Sequence, residues 1–312
     1  MSGPVTLAIR EPGPQTTVQD LGRSGHLRSG IPPSGPVDRR ALILANRLVG
    51  NPDGAAGLEC AFMGPRFAVD GPSAIAVTGA EVPVTVNGQP APRWATILLA
   101  RGDVVKVGIA RVGVRAYVAV AGGLDVPPVL GSRATYLRGR LGGLDGRELR
   151  AGDRLPVVPA AVPAVRALRP EAVPDLAGAP AIRVVLGPQA DRFTEEGIAA
   201  FLEGPYEMLQ HSDRMGARLR GPRIAHTRGH DIISDGTALG SIQVPGDGQP
   251  IVLLVDRQST GGYTKIATVC SFEIGRIAQV RPGQRLAFHA VGVEEAHRLR
   301  DESAALLEGV LV

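Results

Sequence analysis

The apolar residues of this chain occur in short runs that are repeatedly ended by glycine or proline. Representative runs are AIAVTG, RAYVAVAG and PIVLLVD, none of which is long enough for an extended helix. Gly 41 and Pro 26 together make up about a fifth of the chain, well above ordinary usage. Short apolar runs bounded by turn-forming residues are typical of strands. The sequence therefore predicts a mainly β protein built from many short strands.

Strand-like segments greatly outnumber helical ones. The strand candidates are AIAVTG, ATILLA, DVVKVG, RAYVAVAG, IRVVLG, SIQV, PIVLLVD, TKIATVCSF and QRLAFHAV. One helix is predicted in SGPVDRRALILANRLVGNP, where Pro36 suits the first turn and Asp38 complements the positive end of the helix dipole. A second is predicted in TEEGIAAFLEG with Thr194 as its N-cap, and a third in EEAHRLRDESAALLEG. We expect closed or sandwiched β architecture with a few peripheral helices.

The chain divides into two halves around a segment rich in proline and alanine, residues 161–180, which predicts a linker. Three landmarks recur in the same order in the two halves: MGPRF, NGQP and ARGDVVKVG in the first, RGPRI, DGQP and VRPGQRLAFHAVG in the second. Such a recurrence favours a duplicated β unit. We expect an N-terminal β subdomain over residues 1–160 and a C-terminal β subdomain over residues 181–312.

Several classes of protein are disfavoured by what the sequence lacks. No stretch of about 18 consecutive apolar residues is present, and the N-terminus does not read as a secretory signal, so we expect neither a membrane span nor export. The arginines are interleaved with acids and aromatic residues are only 4%, which argues against nucleic acid as a partner. Cys60 and Cys270 lie in apolar, strand-like segments, as expected of buried thiols in the cytoplasm.

Familiar catalytic motifs are also missing. The chain has no GxxxxGK[ST] phosphate loop, no G-x-S-x-G elbow and no Ser-Ser-Lys amidase signature. His226 and His230 have a spacing that would suit a metal on a helix, but the intervening Gly229 favours a turn with hydrogen-bonded histidines. We therefore expect no metal site.

The stretch GQPIVLLVDRQSTGGYTKIATV, residues 248–269, combines a buried strand with a polar continuation. IVLLVD predicts a strand buried on both faces, with Asp256 at the rim of the core. Gly261 and Gly262 would allow the main chain to take positive φ and to present N–H groups to a ligand.

Polar side chains flank the two glycines. Thr260 offers a hydroxyl, and Tyr263 and Lys265 add a phenol and an ammonium, a set suited to stabilising negative charge that develops on oxygen. The chain contains only one other lysine, Lys106. The alternative interpretation of the whole stretch is a glycine-rich hairpin with a solvated rim.

Two other stretches of the second half, QHSDRMGARLRGP and DIISDGTALGSIQVPGDGQP, share this polar character next to apolar strands. Arg214 could clamp a carboxylate bidentately, although a salt bridge to Asp213 or Asp231 is an equally good interpretation. The segment DIISDGTALGSIQVPGDGQP supplies hydroxyl and amide groups suited to a small polar ligand. The residues predicted to bind substrate are Arg214, Ser234, Gln243, Gln249, Thr260, Gly261 and Gly262.

Long motifs along nearly the whole chain resemble one known family, the biotin-dependent carboxyltransferases that include KipA and the C subunit of 5-oxoprolinase, also called allophanate hydrolase subunit 2 or urea amidolyase-related proteins. The motifs are VQDLGRSGHLRSGIPPSGPVD, ANRLVGNPDGAAGLE, YVAVAGGLDVPPVLGSRATYLRG, GRELRAGD, SDRMGARLRGP and GSIQVPGDGQPIVLLVDRQSTGGYTKIATV. The chain differs from the usual family pattern at Asp235, Ser259 and Thr264, where Glu, Thr and Pro are common.

The resemblance implies two cyclophilin-like β-barrel subdomains and a function in a complex. It implies a partner resembling KipI or the B subunit of 5-oxoprolinase, a possible third component of the LamB/YcsF kind, and ATP-dependent opening of 5-oxoproline, a small amide, to glutamate. ATP would then be a cofactor of the complex. Biotin would have to arrive on another protein, because this chain carries no Met-Lys-Met-like attachment site.

These observations lead to one main functional hypothesis and two alternatives. The main hypothesis is a hydrolase component that is active only in its complex, with Asp256, Tyr263 and Lys265 nearest the chemistry. We expect Asp256 to accept a proton and Lys265 to stabilise charge. The alternatives are the carboxyltransferase half of a biotin-dependent urea carboxylase-like or allophanate hydrolase-like system, and a KipA-type regulatory binding protein.

Overall fold

The computed structural model describes residues 5–312 and divides them into two compact units. The first unit comprises residues 5–24, 34–176 and 306–312, and the second comprises residues 25–33 and 177–305. The main boundary between the units lies between residues 176 and 177, so residues 161–176 of the segment predicted as a linker are part of the first unit. The last seven residues belong to the first unit, because Leu311 and its neighbours pack against that unit's apolar residues.

The first unit consists of two antiparallel sheets. Its strands are β1 (Val5–Glu11), β2 (Gln15–Gln19), β3 (Gly57–Ala61), β4 (Arg66–Val69), β5 (Ser73–Glu81), β6 (Val84–Val86), β7 (Gln89–Ala91), β8 (Thr96–Leu99), β9 (Val104–Val107), β10 (Val112–Val120) and β11 (Arg154–Val157). One sheet has the order β11-β1-β4-β9-β6-β7 and the other the order β2-β3-β10-β5-β8. Apolar side chains of both sheets, such as Leu7, Phe67, Leu58 and Val118, form one buried core between them.

A single long helix, α1 (Arg39–Leu48), covers the outer face of the second sheet. As predicted, Asp38 stands at its N-terminus, and the Asp38 carboxylate accepts a hydrogen bond from the Ala41 N–H at 3.1 Å. The buried face of the helix includes Leu42, Leu44 and Leu48. The apolar periodicity in the sequence therefore places this helix correctly.

The buried carboxylate of Glu59 lies under the start of this helix. No sequence pattern predicted it. Glu59 accepts hydrogen bonds from the Val37 N–H at 2.9 Å, the Tyr117 hydroxyl at 2.7 Å and the Arg115 guanidinium at 2.8 Å. The Tyr117 hydroxyl in turn accepts a bond from the Asp38 N–H at 2.8 Å. Burial first, and then the nearby Glu59 charge, hold the pKa of Tyr117 well above its usual value. Because the Glu59 carboxylate accepts three hydrogen bonds, it stabilises the segment that leads into α1.

The second unit is a closed seven-stranded barrel with a separate two-stranded ribbon. Its strands are β12 (Ala181–Leu186), β13 (Tyr206–Met208), β14 (Gly216–Arg220), β15 (Asp231–Gly236), β16 (Ser241–Gln243), β17 (Ile251–Leu253), β18 (Thr260–Tyr263), β19 (Lys265–Val269) and β20 (Arg285–Ala290), and its helices are α2 (Glu195–Glu203), α3 (Ile274–Ala278) and α4 (Val293–Ala305). The barrel order is β12-β19-β16-β17-β14-β13-β20, closed by the parallel pair β12 and β20. Closure leaves the barrel without an unpaired edge.

Strands β15 and β18 pair only with each other and form what we call the β15–β18 ribbon. The ribbon is largely exposed, and Ile233 is 95% accessible. Because β18 leads directly through Thr264 into β19, the ribbon is fastened to the barrel next to Lys265.

The predicted mainly β fold is confirmed, and so are α2, capped by Thr194 as expected, and the C-terminal helix α4. The stretch IVLLVD is buried as predicted from Val252 to Asp256, although only Ile251–Leu253 is strand. The two cysteines are free and buried. Between residues 5 and 312, no helix is both long and apolar enough to cross a membrane.

Candidate functional site

A cavity of about 400 Å³ opens in the second unit beside Lys265, and we call it the Lys265 cavity. Its walls are the end of β12, the ribbon residues Asp235 and Gly236, and the barrel strands β16 and β19. The lining residues are Val185, Leu186, Gly187, Pro188, Asp235, Gly236, Ala238, Ser241, Lys265 and Thr268. The wall is largely apolar, and its charged groups are the Lys265 ammonium and the Asp235 carboxylate, a pattern that suits a small polar ligand.

Lys265 is 2% exposed, and its Nζ lies 2.8 Å from Asp235 Oδ2 and 3.4 Å from the Gly236 carbonyl oxygen. The hydrogen bond from Lys265 is the main cause that lowers the pKa of Asp235, so this carboxylate stays ionised at neutral pH. Asp235 itself is exposed on the ribbon. The buried ammonium is therefore held by a partner that belongs to the exposed ribbon and not to the barrel.

Gln243 lies next to Lys265, its register partner in β19. Gln243 is 3% exposed, and its Oε1 accepts a hydrogen bond from Gln258 Nε2 at 3.3 Å. Its Nε2 is buried without a hydrogen-bond partner. A buried donor with no acceptor is costly, so this amide is a candidate to bind a ligand oxygen.

The glycine pair has a different role from the predicted one. Neither Gly261 nor Gly262 adopts a positive φ, and both lie within β18 and not in a loop. A methyl group at Gly261 would lie 2.4 Å from Gln243 Nε2, so Gly261 makes room for the Gln243 amide. Gly262 has more space, with the Ile232 carbonyl oxygen at 3.4 Å and Ser234 Oγ at 3.7 Å from the same position.

The remaining ribbon residues lie beside the cavity but do not line it. Thr260 pairs with Gly236, and Tyr263 pairs with Asp231. Tyr263 is 40% exposed, with its ring 6.1 Å from that of His230. The structure therefore gathers Lys265, Gln243, Gly261 and the ribbon into one region, but it gives Tyr263 no direct contact with Lys265.

Arg214 and Asp256 face each other as a buried ion pair. Arg214 Nε donates to Asp256 Oδ2 at 2.9 Å and Nη2 lies 3.3 Å from Oδ1, and both residues are 5% exposed or less. Of the interpretations considered for Arg214, a salt bridge is correct, but its partner is Asp256 and not Asp213 or Asp231. Because both Asp256 oxygens accept bonds from Arg214, this geometry supports a stabilising role and not the predicted proton-accepting role.

Gln249 holds the main chain that follows β14. Its Oε1 accepts a hydrogen bond from the Gly221 N–H at 2.8 Å, and its Nε2 donates to the Gly221 carbonyl oxygen at 3.3 Å. Its predicted contact with substrate stays a prediction.

Of the two histidines, His226 is hydrogen-bonded, as the turn interpretation expected, and His230 Nε2 lies 3.3 Å from Asp231 Oδ2. His226 Nε2 lies 3.1 Å from both the Val244 carbonyl oxygen and Thr264 Oγ1, and burial holds its pKa below the usual value. The His226 and His230 rings are 6.2 Å apart. Over residues 5–312, no group of three or more His, Cys, Asp or Glu side chains is arranged to hold a metal ion.

Two contributors to the region are not among the residues predicted from sequence. Asp235 is one, and the buried lysine in a strand was the signal that a carboxylate partner was needed. Gln189 is the second, because its Oε1 accepts a hydrogen bond from the Lys265 N–H at 3.0 Å. No sequence pattern connects residue 189 with residue 265, because the contact depends on barrel closure.

Comparisons with known proteins agree with this architecture. Residues 29–290 match the family model described as carboxyltransferase domain, subdomain A and B. The chain is 37% identical over 306 residues to the 5-oxoprolinase C subunit of Escherichia coli, covering 97% of this chain and 96% of that protein. It is 32% identical over 297 residues to the 5-oxoprolinase C subunit of Haemophilus influenzae, covering 95% and 94%.

Solved structures extend the comparison to longer proteins. The K. lactis urea amidolyase structure matches with a TM-score of 0.93 at 33% identity, covering 98% of this chain but 20% of that chain. The Kluyveromyces lactis urea carboxylase structure matches with a TM-score of 0.92 at 33% identity, covering 98% and 29%. This chain thus corresponds to less than a third of each yeast chain. The family-model match over most of this chain and the end-to-end similarity to 5-oxoprolinase C subunits show that this chain belongs to the carboxyltransferase-domain family, as its motifs predicted.

Proposed function

We propose that this chain is the C subunit of a heteromeric 5-oxoprolinase, an ATP-dependent hydrolase that opens 5-oxoproline to glutamate in the cytoplasm. Its partners would be a protein resembling KipI or the B subunit of 5-oxoprolinase, and a LamB/YcsF-like protein as the third component. The observation that carries this proposal is the 37% identity to the Escherichia coli 5-oxoprolinase C subunit over almost the full length of both proteins.

The Lys265 cavity supplies chemistry that fits this proposal. 5-Oxoproline carries a lactam carbonyl and a carboxylate, and both present oxygen atoms to a cation. In our proposal the Lys265 ammonium donates to the oxygen on which negative charge develops. The cavity offers one lysine as its only cation among the described residues, too little charge for a triphosphate, so we assign ATP to another part of the complex.

The direct test is reconstitution. The purified chain is mixed with its KipI-like and LamB/YcsF-like counterparts, ATP and 5-oxoproline, and glutamate release is measured with each component omitted in turn. We expect glutamate only in the complete mixture. Release that is unchanged without this chain would refute the proposal.

The role of Lys265 is tested with a matched pair of variants, because the chain has only two lysines. Lys265→Met should lower the rate by about 100-fold or more, the usual cost of losing a charge-stabilising donor. Lys106→Met is the control, since Lys106 is exposed on β9 of the first unit. Equal rates for the two variants would remove Lys265 from the chemistry.

A second candidate function is carboxyl transfer from biotin carried by another protein, which is favoured by the TM-score of 0.92 to a urea carboxylase structure. The same cavity would receive the ureido ring, with Lys265 near its oxygen. Carboxylation of urea by the chain together with its partner and a carboxylated biotin carrier would support this candidate. Binding of the KipI-like partner without either activity would favour the regulatory alternative.

A further inference from the structure

A second concave site lies in the first unit, on the loop between β10 and β11. This groove has a volume of about 560 Å³ and is lined by Leu137, Arg140, Asp145, Gly146, Arg147, Glu148, Leu149 and Arg150. We call it the arginine groove. It shares no residue with the Lys265 cavity, and nothing in the proposed 5-oxoprolinase chemistry uses it.

The loop that forms the groove is tightly constructed. A methyl group would lie 2.2 Å from the Ala134 carbonyl oxygen if added at Gly142, and 1.9 Å from Thr135 Oγ1 if added at Gly143. Arg140 takes a left-handed φ of 50°, which is costly for a residue with a side chain. Left-handed non-glycine residues concentrate at functional sites, so a strained arginine at the rim of a groove suggests a ligand.

The three arginines of the groove are not equivalent. Arg147 is held by Asp153 through two hydrogen bonds of 2.7 and 2.9 Å and lies 3.5 Å from Asp145, so its charge is already compensated. Within residues 5–312, Arg140 and Arg150 have no carboxylate within salt-bridge distance. Two guanidinium groups without an ion-pair partner therefore line one groove.

The groove also contains two carboxylates, which offset part of this positive charge. Asp145 is near Arg147, and Glu148 Oε1 accepts a hydrogen bond from Gln15 Nε2 at 3.1 Å. The loop itself is fixed by the Leu149 N–H, which donates to the Thr16 carbonyl oxygen at 2.9 Å, and by the Arg150 N–H, which donates to Asp153 at 2.6 Å. Arg150 thus projects from an anchored main chain, which lowers the entropic cost of binding.

We propose that the arginine groove binds a phosphoryl group, either as inorganic phosphate or on a small phosphorylated molecule, through Arg140 and Arg150. A guanidinium group binds phosphate oxygens with paired N–H donors, and a phosphoryl group near its dianionic state matches two such cations. A single carboxylate would neutralise only one of them. The volume of the groove leaves room for the remainder of a phosphate monoester.

The test is calorimetric titration of the full chain with inorganic phosphate, glycerol phosphate, pyrophosphate and acetate at constant ionic strength. We expect the phosphoryl compounds to bind and acetate to bind at least tenfold more weakly. Tighter binding of glycerol phosphate than of inorganic phosphate would identify a monoester as the ligand type, and the reverse would identify inorganic phosphate. Equal binding of acetate and phosphate would overturn the proposal.

The double variant Arg140→Gln/Arg150→Gln should weaken phosphate binding at least tenfold. The control is Arg10→Gln/Arg101→Gln, which removes the same charge from two exposed positions of the same unit and should leave binding unchanged. Circular dichroism and melting temperature establish that each variant is folded. Unchanged binding in the groove variant, or equal weakening in both variants, would refute the site. The measurement needs neither partner proteins nor 5-oxoproline, so its outcome is independent of the proposed enzyme activity.

Discussion

Replacing Asp256 with asparagine is expected to destabilise the C-terminal barrel, because the Arg214 guanidinium would remain buried after losing the carboxylate that it faces. The side chains of Arg214 and Asp256 are 5% and 6% exposed, so water cannot readily take the place of the carboxylate. Removing one partner of a buried ion pair costs about 3–5 kcal/mol. The Asp256 N–H also donates to the Arg214 carbonyl oxygen at 2.9 Å, a main-chain bond that the substitution keeps. We therefore expect the lower end, about 3 kcal/mol.

Native-state hydrogen exchange is the appropriate assay, because a chain with two units need not unfold in one transition. A loss of about 3 kcal/mol corresponds to a reduction of roughly 100-fold in the protection of barrel amides that exchange by unfolding of the second unit. Amides in the core sheets of the first unit provide the internal reference. Unchanged protection in Asp256→Asn would refute the reasoning.

The double variant Arg214→Met/Asp256→Leu separates a stabilising role from a chemical one. Replacing both partners by apolar side chains of similar volume is often neutral or stabilising. We therefore expect the double variant to recover most of the hydrogen-exchange protection that Asp256→Asn loses. If the pair only stabilises the barrel, the double variant should also regain activity in the reconstituted complex. A stable but inactive double variant would restore Asp256 as a candidate proton acceptor.

Three further predictions concern single residues. Gly261→Ala should displace the Gln243 amide, because the new methyl group would lie 2.4 Å from its Nε2. We expect the free energy of unfolding, measured by urea denaturation, to fall by about 1 kcal/mol. The double variant Gly261→Ala/Gln243→Ala should recover this loss. Burial holds the pKa of His226 below 6.5, so His226 binds a proton more readily in the unfolded chain than in the folded one. The contribution of the neutral His226 ring to folding stability should therefore be complete above about pH 6.5 and be lost as the pH falls through the lowered pKa. A titration of the His226 ring by NMR checks the direction, and a pKa at or above 6.5 would contradict it. Burial raises the pKa of Cys60 to about 12, so this thiol should react with a thiol reagent at pH 8 only after denaturation, and rapid labelling of the native chain would contradict its burial.

The parts of the fold that were predictable are those with an apolar face toward a core. Strands β17 and β19 follow apolar runs, and α1 follows an apolar periodicity with Asp38 at its N-terminus. The β15–β18 ribbon was not predictable in the same way. Its residues are mostly exposed, so no alternation of apolar and polar side chains marks it, and the glycine pair of β18 favours a loop by its sequence alone.

The sequence identifies several residues of the candidate site, but it does not identify the contacts between them. Lys265 and Gln243 stand out in the sequence because an ammonium and an amide within strand patterns need partners. The partner of Lys265 is 30 positions away in the ribbon, and that of Asp256 is 42 positions away, just before β14. Such pairings depend on how the barrel closes, which a single sequence does not encode in any local pattern.

The exchange of short segments makes part of the apolar packing of the first unit depend on residues that follow the barrel in the sequence. Residues 177–305 of the barrel are made before residues 306–312, which complete the apolar packing around Leu168 and Trp94 in the other unit. The apolar core between the two sheets contains none of these seven residues, and every barrel strand precedes them. A chain truncated after residue 305 should consequently keep both units folded, with a lower melting temperature for the first unit and an unchanged one for the barrel.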